Sequence, residues 1–161
     1  MEKWKTLSGK PIPDVVEYVK ENAKDGQIVH IGTDSLGVGK YTQFVTVVAI
    51  LTPMKGGTVA YTREMVPRIT SLREKLLKEV WKSVDLGIRL HPYIPGDLTV
   101  HIDANPVIVH RSSKYVQELT ALVVSQGFKA QLKPDAWAAS HCADHLTRTR
   151  GKLPQGLNAN V

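Results

Sequence analysis

Cysteine is almost missing from this 161-residue chain: Cys142 stands alone, so no disulfide can close within it. That agrees with a reducing compartment, and the plain reading of Cys142 is a small apolar residue of a helix. No stretch approaches the roughly 20 consecutive apolar residues that a membrane-crossing helix needs. Met1-Glu2-Lys3-Trp4-Lys5 runs on into Thr, Ser, Gly and Pro rather than an apolar signal core. A cytoplasmic protein without a membrane partner is the expectation. Internal repeats and low-complexity tracts are also missing, which argues against a solenoid. Acidic residues are in deficit: 15 Asp and Glu against 21 Lys and Arg leave a formal charge of +6 and a pI near 9.5. Such a balance attracts polyanions, because phosphates met by Lys and Arg release their counterions. Nucleic acid is therefore the favoured partner, although the basic residues are spread along the chain without a long run.

What is present is the composition of one globular domain, 42% hydrophobic and 22% charged. A single domain is expected over 1–153, with a loose tail over 154–161. Pro11-Ile12-Pro13-Asp14 reads as a helix start, and Val15, Val16, Val19 and Ala23 recur at helical spacing until Asp25-Gly26. Residues 27–32 predict a strand. Thr33-Asp34-Ser35 and Gly37-Val38-Gly39 then read as a polar, flexible loop, which puts Asp34 at a strand end. Residues 44–51, almost wholly apolar, predict a strand covered on both faces, and a turn over 53–57 leads into another over 58–63.

From 71 to 86 the period turns helical, with Leu72, Leu76, Leu77, Val80 and Val84 forming an apolar stripe. Residues 98–102 predict a strand that delivers Asp103 at its end. A helix over 112–125, a strand over 127–132 and a last helix over 135–149 complete the order. Three strands followed by alternating helices and strands predict an α/β fold: a five-stranded mixed sheet, antiparallel first and parallel later, flanked by helices, with an extra N-terminal helix.

In such a sheet the first and fourth strands can lie side by side, which brings Asp34 and Asp103 within a few ångströms of each other. Two bare carboxylates that close repel, and a divalent cation relieves the repulsion; hard oxygen ligands suit Mg²⁺ or Mn²⁺. Each aspartate alone is equally a turn former or helix cap. Two in corresponding positions favour the metal.

The segments HIGTDS (30–35), FVTVVAI (44–50), HIDANP (101–106) and KPDAWAASHCADH (133–145) together resemble the ribonuclease H-like YkuK-type proteins. The resemblance spans roughly residues 12–150 and implies the ribonuclease H fold and a metal-dependent nuclease. Enzymes of the wider superfamily use a first-strand aspartate, a glutamate on the first large helix, a fourth-strand aspartate, and a carboxylate or histidine on the last helix. Asp34 and Asp103 match the strand positions. On the last helix, Asp144 is the first choice and Asp135, placed as a helix N-cap, is the rival. Glu79 is chosen over Glu74 because Ser83 and Gly87 extend a small-residue face beyond it. The expected metal ligands are Asp34, Asp103 and Asp144, with Glu79 completing the catalytic set.

Other patterns carry less. His101, His141 and His145 suggest zinc, but no glutamate follows His141, and Lys40 is followed by Tyr41 rather than the Ser or Thr of a phosphate loop. Arg148 and Arg150 are candidates for gripping a nucleic-acid backbone, or for balancing a helix dipole. The reading that results is phosphodiester hydrolysis by two metal ions. Its rivals are a non-catalytic nucleic-acid-binding module on the same fold and, more weakly, an actin-like nucleotide-binding domain.

Overall fold

The computed structural model describes residues 2–133. The expected last helix, with Asp135, His141, Cys142, Asp144, His145, Arg148 and Arg150, lies outside the described residues. The chain begins with a small hairpin, β1 (Trp4–Thr6) and β2 (Pro11–Ile12), and continues into helix α1 (Val15–Asn22). A long meander follows, β3 (Ile28–Val38), β4 (Tyr41–Thr52) and β5 (Gly56–Pro67). Helix α2 (Leu72–Leu90), strand β6 (Leu98–Ile102), helix α3 (Val116–Val124) and strand β7 (Lys129–Leu132) complete the order. All strands join one sheet in the order β2-β1-β5-β4-β3-β6-β7, with β3, β6 and β7 parallel.

The mixed α/β architecture is as expected, but the sheet has seven strands, not five. The two extra strands come from the N-terminal hairpin, which closes the free edge of β5: Trp4 pairs with Thr62 and with Ile12. Burial of Trp4 and Ile12 in the core holds so short a hairpin in place. Pro11-Ile12 is thus strand rather than helix start, and Asp14 is the cap, its carboxylate accepting from the N–H groups of Val16 and Glu17.

A second correction bears on the site. The stretch after Gly32 is not a loop, because β3 runs on to Val38 and pairs residue by residue with β4 as far as Tyr41. Gly39 takes a positive φ of 56° at the first position of the two-residue turn, a conformation glycine adopts without steric cost. Asp34 therefore lies within a strand, opposite Val45.

Strand β4 is buried on both faces, as its apolar run predicts. Val48 and Ile50 join the main core with α1, α2 and α3, while Val45, Val47 and Ala49 form a second cluster with Val59. Helix α2 starts at its cap Ser71 and buries Leu76, Glu79, Val80, Ser83, Val84, Gly87 and Leu90 along one stripe. No described helix is long and apolar enough to cross a membrane.

At Gly87, α2 packs closely against the segment leading into β7: a Cβ there would stand 2.9 Å from the Phe128 ring. Gly87→Leu is expected to destabilise the protein by roughly 1–3 kcal/mol, the usual penalty for overpacking. Urea denaturation measures it, and a change under about 0.5 kcal/mol, the scale of an ordinary surface substitution, would mean that the ring moves aside freely.

Candidate metal centre

The last ladder pair between β3 and β6 is Gly32 with His101. Two residues further along the chain in each case stand Asp34, still within β3, and Asp103, just past the end of β6. On the other side of β6, Ile102 pairs with Leu132, so Lys133 stands beside Asp103. Helix α2 presents Glu79 from its buried stripe. One carboxylate oxygen each from Asp34, Glu79 and Asp103 lie within 4.8 Å of one another.

Two of these carboxylates are buried and the third, Asp103, is partly so. Glu79 is 4% exposed and Asp34 8%. The Ser35 hydroxyl donates to Glu79 Oε1 at 2.6 Å, and the Ser35 N–H donates to Asp34 Oδ1 at 2.9 Å. Glu79 Oε2 is buried and has no hydrogen-bond partner among the described residues. Burial, and next the charge of Asp34, push the Glu79 pKa well above its ordinary value; Asp103 adds to this and the Ser35 bond opposes it. The Lys133 ammonium forms an ion pair with Asp103 Oδ1. Burial opposes the lysine's charge, but its hydrogen bond to Asp103 and the charges of Asp103, Asp34 and Glu79 outweigh that and raise its pKa. Three carboxylates without nitrogen or sulfur, one carrying an unsatisfied buried oxygen, form a donor set that fits a hard divalent cation.

Behind the aspartates, His30 Nδ1 and His101 Nε2 share a hydrogen bond of 2.6 Å, with the rings edge to face. His101 is therefore engaged with His30, and the group of converging ligands contains no histidine. Burial lowers the His30 pKa to about 4, and burial together with the proximity of His30 lowers that of His101 to about 3. The folded protein thus holds these protons less tightly than the unfolded chain, whose histidines titrate near 6.5. Their contribution to stability is complete above pH 6.5 and is lost as pH falls toward 4 and then 3. Each unit of difference is worth about 1.4 kcal/mol. Replacing both by glutamine is expected to flatten the melting temperature between pH 6.5 and 4; an unchanged slope would assign acid sensitivity to other groups.

Of the residues singled out in the sequence, Asp34, Glu79 and Asp103 converge, while Glu74 is exposed near the start of α2. Asp144, Arg148 and Arg150 lie outside the described residues. Sequence reasoning missed Lys133 and Ser35. Lys133 was legible only as the residue following a parallel strand next to β6, and Ser35 was hidden by the reading of 33–39 as a loop.

The chain is similar to known proteins to different degrees. The chain matches the ribonuclease H-like family over residues 11–148. It is 30% identical over 156 residues to the uncharacterized protein YkuK of Bacillus subtilis (strain 168), covering 84% of this chain and 90% of that protein. Among solved structures, it resembles the N-terminal RNase H domain of Rv2228c from Mycobacterium tuberculosis, solved as a fusion with maltose binding protein. That likeness has a TM-score of 0.41 and 16% identity, over 73% of this chain and 91% of that one. RNase H1 from the halophilic archaeon Halobacterium salinarum NRC-1 has a TM-score of 0.40 and 16% identity, over 74% and 97% of the two chains. With the family match covering most of its length, the chain belongs to the ribonuclease H-like family.

Proposed function

We propose that this protein is a metal-dependent nuclease that hydrolyses phosphodiester bonds of RNA, DNA or their hybrid, with Mg²⁺ or Mn²⁺ held by Asp34, Glu79 and Asp103. The observation that carries the reading is the Glu79 carboxylate, buried against two aspartates with one oxygen unsatisfied. Burying these carboxylates with only the Lys133 ammonium beside them costs on the order of several kcal/mol, and a divalent cation between them would remove the penalty. Divalent metal bound there would supply an activated water and stabilise the leaving oxygen. The chain's own part is positional: Ser35 fixes one oxygen of Glu79 through its hydroxyl and one of Asp34 through its N–H.

In the same reading Asp144 completes the cluster, Arg148 and Arg150 meet the phosphate backbone, and the protein works in the cytoplasm as a single domain. The net positive charge supports nucleic acid as the partner. The test is incubation of the purified chain with end-labelled RNA, DNA and hybrid in Mg²⁺, in Mn²⁺ and in EDTA. Cleavage with either ion and none in EDTA is the expected result. Salt-dependent binding without cleavage under any ion would instead support the non-catalytic binding module. Replacing Arg148 and Arg150 by alanine is expected to lower the log–log salt slope of binding by roughly 0.7–0.9 per lost phosphate contact.

A further inference from the structure

We infer that Lys133 is a resident cation of the carboxylate cluster, filling one of the two cation positions of a two-ion site, so that the cluster takes a single divalent ion. The inference rests on the metal reading above and concerns how that site is filled.

The placement of Lys133 is built by the fold rather than left to a wandering surface side chain. The parallel pairing of β6 with β7 ends at Ile102 and Leu132, which sets residue 133 beside residue 103. The Lys133 N–H donates to the Ala104 carbonyl at 3.2 Å, tying its backbone to the residue after Asp103. From there the ammonium reaches Asp103 Oδ1, and the side chains of the pair are only 39% and 17% exposed.

Position decides the count. Three carboxylates and one ammonium carry −2 among the described residues, and Asp144 of the proposed cluster would make the sum −3. A second divalent ion would turn the net charge positive and would stand beside an ammonium, with roughly 3.5–4 Å between the two metals in a typical two-ion centre. The Lys133 ammonium already engages Asp103 Oδ1. A lysine ammonium is a compact point charge with three donors, suited to a phosphate oxygen. Lys133 thus offers a permanent positive charge next to the bound ion, where a phosphodiester would sit.

The experiment is a Mn²⁺ titration of the metal-free full-length protein, with free Mn²⁺ followed by electron paramagnetic resonance and bound equivalents checked by calorimetry. The wild type is expected to bind one ion, Lys133→Met two, and Lys133→Arg one again. One ion in both the wild type and Lys133→Met would overturn the inference, as would two in the wild type, and either result leaves the metal reading standing. No ion in the wild type overturns the metal reading and this inference with it. Should Lys133→Met fail to give the wild-type circular dichroism spectrum, Lys133→Gln, which also removes the charge, takes its place: two ions there uphold the inference and one overturns it.

Discussion

Asp103→Asn is expected to lose Mn²⁺-dependent cleavage by roughly a thousand-fold, the scale of several kcal/mol of lost charge stabilisation, while keeping the far-ultraviolet circular dichroism of the wild type. The two readouts separate because the substitution is isosteric. Asp103 follows β6, whose five residues are all buried and whose ladders to β3 and β7 involve no part of the Asp103 side chain. What the variant gives up is one negative charge facing Asp34 and Glu79, together with the ion pair to Lys133. A neutral amide oxygen still ligates, but it neither neutralises the ion nor completes the anionic set. Cleavage at the wild-type rate would reduce Asp103 to a turn former.

The second large effect is on stability and has the opposite sign from most substitutions of a buried residue. Glu79→Gln is expected to stabilise the metal-free protein on the order of 2 kcal/mol at pH 8, or about 4–8 °C in melting temperature for a chain of this size. The amide keeps the shape and can still accept from Ser35, yet it removes a charge buried against two aspartates. The pH dependence follows from the raised pKa. Folding holds the Glu79 proton more tightly than the unfolded chain does, so the wild type is penalised progressively as pH rises above 4.5 toward the folded value. Below 4.5 the carboxyl is protonated in both states and the advantage of glutamine closes. Saturating Mn²⁺ should reverse the ranking, since an ion at 100 times its Kd adds about 2.7 kcal/mol to the protein that binds it. Melting curves from pH 4 to 8 with and without Mn²⁺ measure both effects, and a Gln variant less stable than the wild type at pH 8 without metal would make Glu79 a structural residue.

Much of this site was readable from local pattern. An apolar run ending in aspartate occurs twice, and the meander followed by alternating helices and strands puts those two strands together. The strand at 98–102 and the stripe of α2 follow directly from period, because each buries a face against a continuous core. What escaped was set by partners distant in the sequence. Trp4-Lys5-Thr6 is too short to show alternation and becomes a strand only because β5 offers it an edge. Residues 33–38 read as loop from Ser35 and from Gly37 and Gly39 at their end, and are strand because Tyr41 to Thr46 supplies a matching ladder. Lys133 belongs to the cluster through the register of β7 on β6, and His30 meets His101 through that of β3 on β6; neither register is written in either segment alone.

The two kinds of pairing around the carboxylates also set an order of assembly. The ladders of β3 with β4 and β4 with β5 join neighbours along the chain, and hairpins of this sort form in about 1–10 μs. The contact of β3 with β6 spans far more chain, 71 residues between His30 and His101, and must gather β4, β5 and α2 before it closes. Asp34 is thus in place on the meander while Asp103 is still elsewhere, and the carboxylates meet only at the slow, long-range step. A chain still emerging from the ribosome, or one caught before β6 docks, holds Asp34 without Asp103, and the cluster of three carboxylates does not yet exist.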